Sequence, residues 1–196
     1  IVVLRIHTLI EPVAYTVKDN DTLLTKAIFT TIDGALMQNI LGIVVVYFHV
    51  LYVNRLVIKH RLSNPFTLLP GLIYAVMVSF LPEYSMLSPF LIANTFLLFA
   101  VGQIFQTYKR PKAADILFNI GFFIAFTALF VPNYIFLLLI GIIGLFVLRS
   151  MKVVEIFQML SGTIVVLFVF GGVLYLQDIP IAPELNKASI YPRLAI

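Results

Sequence analysis

The sequence predicts an all-α, polytopic transmembrane helical bundle of about six spans. Three observations predict it. Of 196 residues, 61% are hydrophobic and 11% are charged, with a mean hydropathy of +1.06. An ordinary soluble domain carries roughly 25% charge, and so few charged side chains cannot clothe a soluble surface. The apolar residues gather into runs close to the roughly 20 residues that a helix needs to cross a bilayer. Segments such as Ile135-Phe136-Leu137-Leu138-Leu139-Ile140 are apolar on every side, whereas barrel strands alternate. The composition excludes a soluble globular enzyme, a nucleic-acid-binding module and a disordered chain.

The elements follow in order. Ile1–Ile6 reads as the end of a preceding apolar helix, which would make a seventh span. Residues 1–34 form an external polar segment holding Glu11, Lys18, Asp19, Asp21, Lys26 and Asp33. Within it, Asp21 is suited to N-cap a short helix with Leu24, Ala27 and Ile28 on one face. That helix would lie on the membrane surface, and an ordered loop without membrane contact is the equal alternative. The transmembrane domain is 35–176. Its spans are predicted at Ala35–Val53, Pro65–Leu81, Ser88–Phe105, Ala114–Phe130, Asn133–Leu148 and Glu155–Leu176. Residues 177–196, with Pro180, Pro183 and Pro192, read as an external extended tail.

The charges check the count. Arg55, Lys59 and Arg61 follow the first span; Lys109, Arg110 and Lys112 follow the third; Arg149 and Lys152 follow the fifth. The intervening turns hold Glu83 and, around Pro132 and Asn133, no charge. Basic loops stay in the cytoplasm, so the expected location is a bacterial inner membrane with 7–34 and 177–196 periplasmic. The net charge of +4 is then an orientation signal rather than a nucleic-acid surface.

Functional candidates are few. Ionisable groups within spans are candidates by default, because a charge in lipid is costly. His49 is the one such histidine. A haem between helices would want two facing histidines, but His7 and His60 lie outside the spans. His49 therefore reads as a hydrogen-bonded structural residue. Asp115 is expected to pair with Lys112 and Glu155 with Lys152, at the interface. Glu83 reads as a solvated turn residue. Asn94, Gln103 and Asn119 would line a polar pocket or, more simply, hold helices together. Lys59, Arg61, Lys109, Arg110 and Lys112 are candidate contacts for anionic lipid head groups. Gly141 with Gly144, Gly162, and Gly171-Gly172 would permit close helix contact. The chain has no cysteine, and it shows no nucleotide, zincin or nucleophile-elbow motif. No catalytic, metal or cofactor site is expected.

Several strings carry a resemblance: Lys59-His60-Arg61-Leu62-Ser63, Leu81-Pro82-Glu83, Leu87-Ser88-Pro89, Ile92-Ala93-Asn94-Thr95-Phe96 and Phe118-Asn119-Ile120-Gly121-Phe122. Over Val53–Leu160 the chain resembles an uncharacterised family of Bacteroidota inner-membrane proteins, a domain of unknown function. The resemblance implies a multi-span inner-membrane protein and no activity. Three functions stay open. The first is an accessory or structural subunit of a larger membrane complex. The second is a transporter or lipid-handling protein with a site built from the amides. The third is an enzyme acting on a lipid-linked substrate at the outer face.

Overall fold

The structure, a computed structural model, describes residues 10, 12–18, 21–32, 34–60, 68–84, 86–108, 110, 113–148 and 152–176. Arg61, Lys109, Lys112, Arg149 and the stretches 1–9 and 177–196 lie outside the described residues. Among those described there are seven α-helices and no strand: α1 Leu23–Thr31, α2 Ala35–Lys59, α3 Leu69–Ser79, α4 Pro89–Gln106, α5 Ala114–Phe130, α6 Leu137–Leu148 and α7 Val153–Leu176. Three of them, α2, α4 and α7, are long and apolar enough to cross a membrane.

Helix α1 starts one residue later than the Asp21 cap predicts. Thr22 is the N-cap, its hydroxyl accepting the Thr25 N–H at 3.4 Å. Asp21 instead turns back, and its carboxylate accepts the Tyr15 hydroxyl at 2.9 Å and the Lys18 N–H at 2.7 Å. The apolar face of α1 does not wait for lipid. Phe29 is buried against Val46, Val78, Leu87 and Leu91, and Leu24 and Ile28 pack on Phe130 and Val131. The helix thus caps one end of the bundle. Gly34 then turns the chain into α2 with φ of 103°, a conformation in which any side chain would be strained.

Helix α2 runs to Lys59, six residues beyond the predicted Val53. Asn54, Arg55 and Lys59 look like loop by polarity, but cations favour a helix C-terminus, so the helix continues with them. Helix α3 is shorter than predicted, with 11 residues, or about 16 Å. Its start is pinned from α2. Asn54 Oδ1 accepts the Gly71 N–H at 2.8 Å, satisfying one of the N–H groups that a helix start leaves without a partner. A Cβ on Gly71 would collide with the same Asn54 side chain. Asn54→Ala is expected to destabilise the protein by about 1 kcal/mol, as loss of a cap does, readable in thermal unfolding.

Ser88 caps α4, accepting the Leu91 N–H at 3.2 Å, with Pro89 in the first turn where no N–H is needed. Helix α5 has the predicted bounds and sits between α4 and α7, its two most extensive partners. Against α4 it packs rings: Phe96 lies 5.2 Å from Phe126 and Phe99 5.6 Å from Phe123. Against α7 it packs backbone. A Cβ on Gly121 would strike the Met159 carbonyl oxygen, and one on Gly162 would strike that of Phe118. The Thr163 hydroxyl donates to the Gly121 carbonyl at 3.2 Å across this contact. Of the other glycines singled out, an added Cβ on Gly141 would lie 3.3 Å from Ile124, while Gly144, Gly171 and Gly172 have no described atom within 4 Å of one.

The fifth predicted span divides. A 3-10 turn at Pro132–Phe136 leads into α6. Helix α7 begins at Val153, two residues before the predicted Glu155, because Glu155 serves as an N3 residue. Its carboxylate accepts the Lys152 N–H at 3.1 Å, half of a capping box.

Candidate functional site

The polar residues of α2, α3 and α4 meet inside the bundle. His49 lies 14 residues into the 25-residue α2 and is fully buried. With α2 extended to Lys59, it sits near the middle of the helix rather than toward one end. Its Nε2 is 2.8 Å from Thr95 Oγ1 on α4 and its Nδ1 is 3.0 Å from the Tyr74 hydroxyl on α3. Asn94 of α4 donates from Nδ2 to the same tyrosine oxygen at 2.6 Å.

One tautomer gives the set a consistent direction. The Thr95 hydroxyl donates to the Leu91 carbonyl at 3.3 Å, so its oxygen is free to accept the proton on His49 Nε2. In that tautomer Nδ1 is the acceptor, and the Tyr74 O–H donates to it. Tyr74 in turn accepts from Asn94. His49, Thr95, Tyr74 and Asn94 thus form one connected set of hydrogen bonds across three helices. Inside an apolar bundle such a network strengthens its members and penalises the loss of any one. Aromatic rings enclose it: Tyr74 meets the imidazole edge-on with centroids 5.9 Å apart, and Phe48 lies 6.4 Å away.

A second polar cluster closes the α1 end. Gln38 Oε1 accepts the Tyr15 N–H at 2.7 Å, and Gln38 Nε2 donates to the Ile32 carbonyl at 3.2 Å. Asn39 Nδ2 donates to the Val13 carbonyl at 3.1 Å and the Ala35 carbonyl at 2.8 Å. These amides clamp residues 12–18 onto the start of α2. Burial, then the adjoining Asp21 carboxylate, pushes the Tyr15 hydroxyl well above its ordinary range, with a further push from Glu83. The Tyr84 hydroxyl is raised likewise, by burial first and then by Tyr134, to which it is hydrogen-bonded.

Of the sequence candidates, His49 and Asn94 are brought together. Gln103 is half-buried further along α4, and Asn119 is exposed on α5; neither joins the network. Glu83 is exposed in the 3-10 turn Pro82–Tyr84. Lys59 is exposed at the end of α2. Arg110 lies 3.9 Å from Asp115 in an exposed pair, and the expected partner Lys112 lies outside the described residues. No group of three His, Asp or Glu side chains gathers among the described residues. Sequence reasoning missed Tyr74. The available signal was a phenol within an apolar run, since a buried tyrosine hydroxyl needs a partner. No protein-family model, curated protein or solved structure matches the chain.

At the other end of α2, His60 packs at a tilt against Phe105 of α4 with centroids 5.5 Å apart. Burial, then the Lys59 charge, lowers its tendency to protonate below the ordinary value of 6.5. In the unfolded chain it protonates more readily, so the unfolded state binds more protons just below pH 6.5. The stability His60 contributes is therefore present above that pH and lost as pH falls through the window beneath it. NMR titration should place its midpoint below 6.5, and His60→Phe should flatten that part of the stability profile.

Proposed function

We propose that the protein is a six-span inner-membrane protein acting as an accessory or structural subunit of a larger membrane complex. The span count is supported by placement. Helix α5, about 25 Å long, lies between α4 and α7, which are each long enough to cross. The 3-10 turn Pro132–Phe136 and α6 together reach about 28 Å. Helix α3 reaches the middle of α2, where Tyr74 meets His49. The alternation of basic loops with turns that hold no basic residue supports cytoplasmic basic loops. The resemblance to the Bacteroidota inner-membrane family points the same way.

One observation carries the subunit reading: the glycines divide into two sets. Gly121 and Gly162 are consumed in the α5–α7 contact, whereas Gly144, Gly171 and Gly172 on α6 and α7 have no described atom where a Cβ would go. Around them Ile140, Ile143, Phe146, Val147, Phe168 and Tyr175 are exposed. Small residues on an uncovered helix face admit the close approach of another transmembrane helix. The His49 network ties α2, α3 and α4 together and fits a locking role. Native pull-down in mild detergent with mass spectrometry tests this. Stoichiometric recovery with other membrane subunits is expected. A protein that runs alone, with retained solute or lipid, would favour the transporter or lipid-handling reading.

A further inference from the structure

One face of α2 changes character along its length. Val44, Tyr47, Phe48 and Leu51 are exposed, and the same stripe continues through Arg55, Ile58 and Lys59, also exposed. Spacings of three and four residues keep these side chains on one side of the helix. Arg55 and Lys59 are four apart, so their charged ends fall within reach of one anion. Among the described residues no counter-charge pairs with them. Between Arg55 and Ala113 the sequence has a single acid, Glu83, and it lies in the turn at the α1 end. The acids at the end shared by Lys59 are engaged elsewhere: Asp115 by Arg110 and Glu155 by the Lys152 N–H. No described carboxylate lies within 4.0 Å of Arg55 or Lys59.

We propose that Arg55 and Lys59 form a binding site for the phosphate of an anionic phospholipid, whose acyl chains lie along Val44, Tyr47, Phe48 and Leu51. The inference rests on the reading of α2 as a membrane span. Arg55 sits about 6 Å deeper than Lys59; its guanidinium offers a bidentate fork to phosphate and Lys59 adds a point charge. Long basic side chains at a span's end extend toward the head groups while their stems lie on apolar surface. The site differs from a general attraction of basic loops to the membrane. It is two-pronged, it belongs to one helix face, and it omits Arg110.

The test uses the full chain in nanodiscs of equal phosphatidylglycerol and phosphatidylethanolamine. Failure to enter the discs at all would remove the membrane reading itself. Once the chain is incorporated, native mass spectrometry is expected to show retained phosphatidylglycerol in preference to phosphatidylethanolamine. Arg55→Gln and Lys59→Gln should each lower that retention about fivefold, the usual worth of one basic residue at an anionic surface. Arg110→Gln should leave it unchanged. Equal retention by the double variant R55Q/K59Q, or an equal loss in Arg110→Gln, would overturn the site.

Discussion

Gly121→Ala is expected to lower stability by about 3 kcal/mol, the upper range for forcing extra atoms into a packed contact. The added methyl has no room, because it would occupy the place of the Met159 carbonyl oxygen, and backbone cannot rotate away as a side chain can. The helices must separate. That loosens the Thr163 hydroxyl from the Gly121 carbonyl and uncovers Ile120 and Met159, which are fully buried in the main core cluster. Gly162→Ala pushes the same two helices apart from the other side, against Phe118. The double variant should therefore cost less than the sum of the singles, because one separation accommodates both methyls. Gly144→Ala is the control. With no described atom within 4 Å, it should be neutral or slightly stabilising, since alanine is the better helix former. Thermal unfolding of the detergent-purified chain reads all four.

His49→Leu is the second large effect. It strips the acceptor from the Tyr74 O–H and the donor from Thr95 while both stay within the bundle. Polar contacts between membrane helices contribute about 1–2 kcal/mol each at most, so the loss of both is expected to cost about 2 kcal/mol. Tyr74→Phe removes a donor and an acceptor together, leaving Asn94 Nδ2 and His49 Nδ1 to relax, and should cost about 1 kcal/mol, within the range for polar contacts between membrane helices. If the four residues act as one network, His49→Leu and Tyr74→Phe together should cost clearly less than their sum. Simple additivity would show that the imidazole and the phenol stabilise their helices separately.

Much of the architecture is legible in the sequence because lipid imposes a simple rule. Every spanning backbone must satisfy itself, so long apolar runs become helices, and α4 and α5 fall within a residue of their predicted bounds. The errors occur where polarity and helix propensity disagree. Asn54, Arg55 and Lys59 are polar enough to suggest a loop, yet they continue α2, and Asn54 works across the gap as the cap of α3. Asp21 has the chemistry of an N-cap, but Thr22 stands where the side chain reaches the third N–H. The site is only half legible. His49 and Asn94 stand out as polar residues in apolar runs, whereas their meeting depends on α3 delivering Tyr74 between them, a tertiary fact with no periodic trace. Gly121 escaped attention because a lone glycine inside a helix carries no pattern; its meaning comes from Gly162 lying opposite it. Gln103 and Asn119 have the same composition signal as Asn94 and join no network, since the rotational position of each helix is set by packing.

The six-pass arrangement is tested most directly by single-cysteine labelling, which needs no background correction because the chain contains no cysteine. Cysteines placed one at a time at Lys59, Glu83, Arg110, Asn133 and Lys152 would be probed with a membrane-impermeant maleimide in intact cells and after permeabilisation. Positions 83 and 133 should label in intact cells, and 59, 110 and 152 only once the membrane is opened. Labelling of 83 and 110 from the same side would contradict the account, because α4 would then not cross.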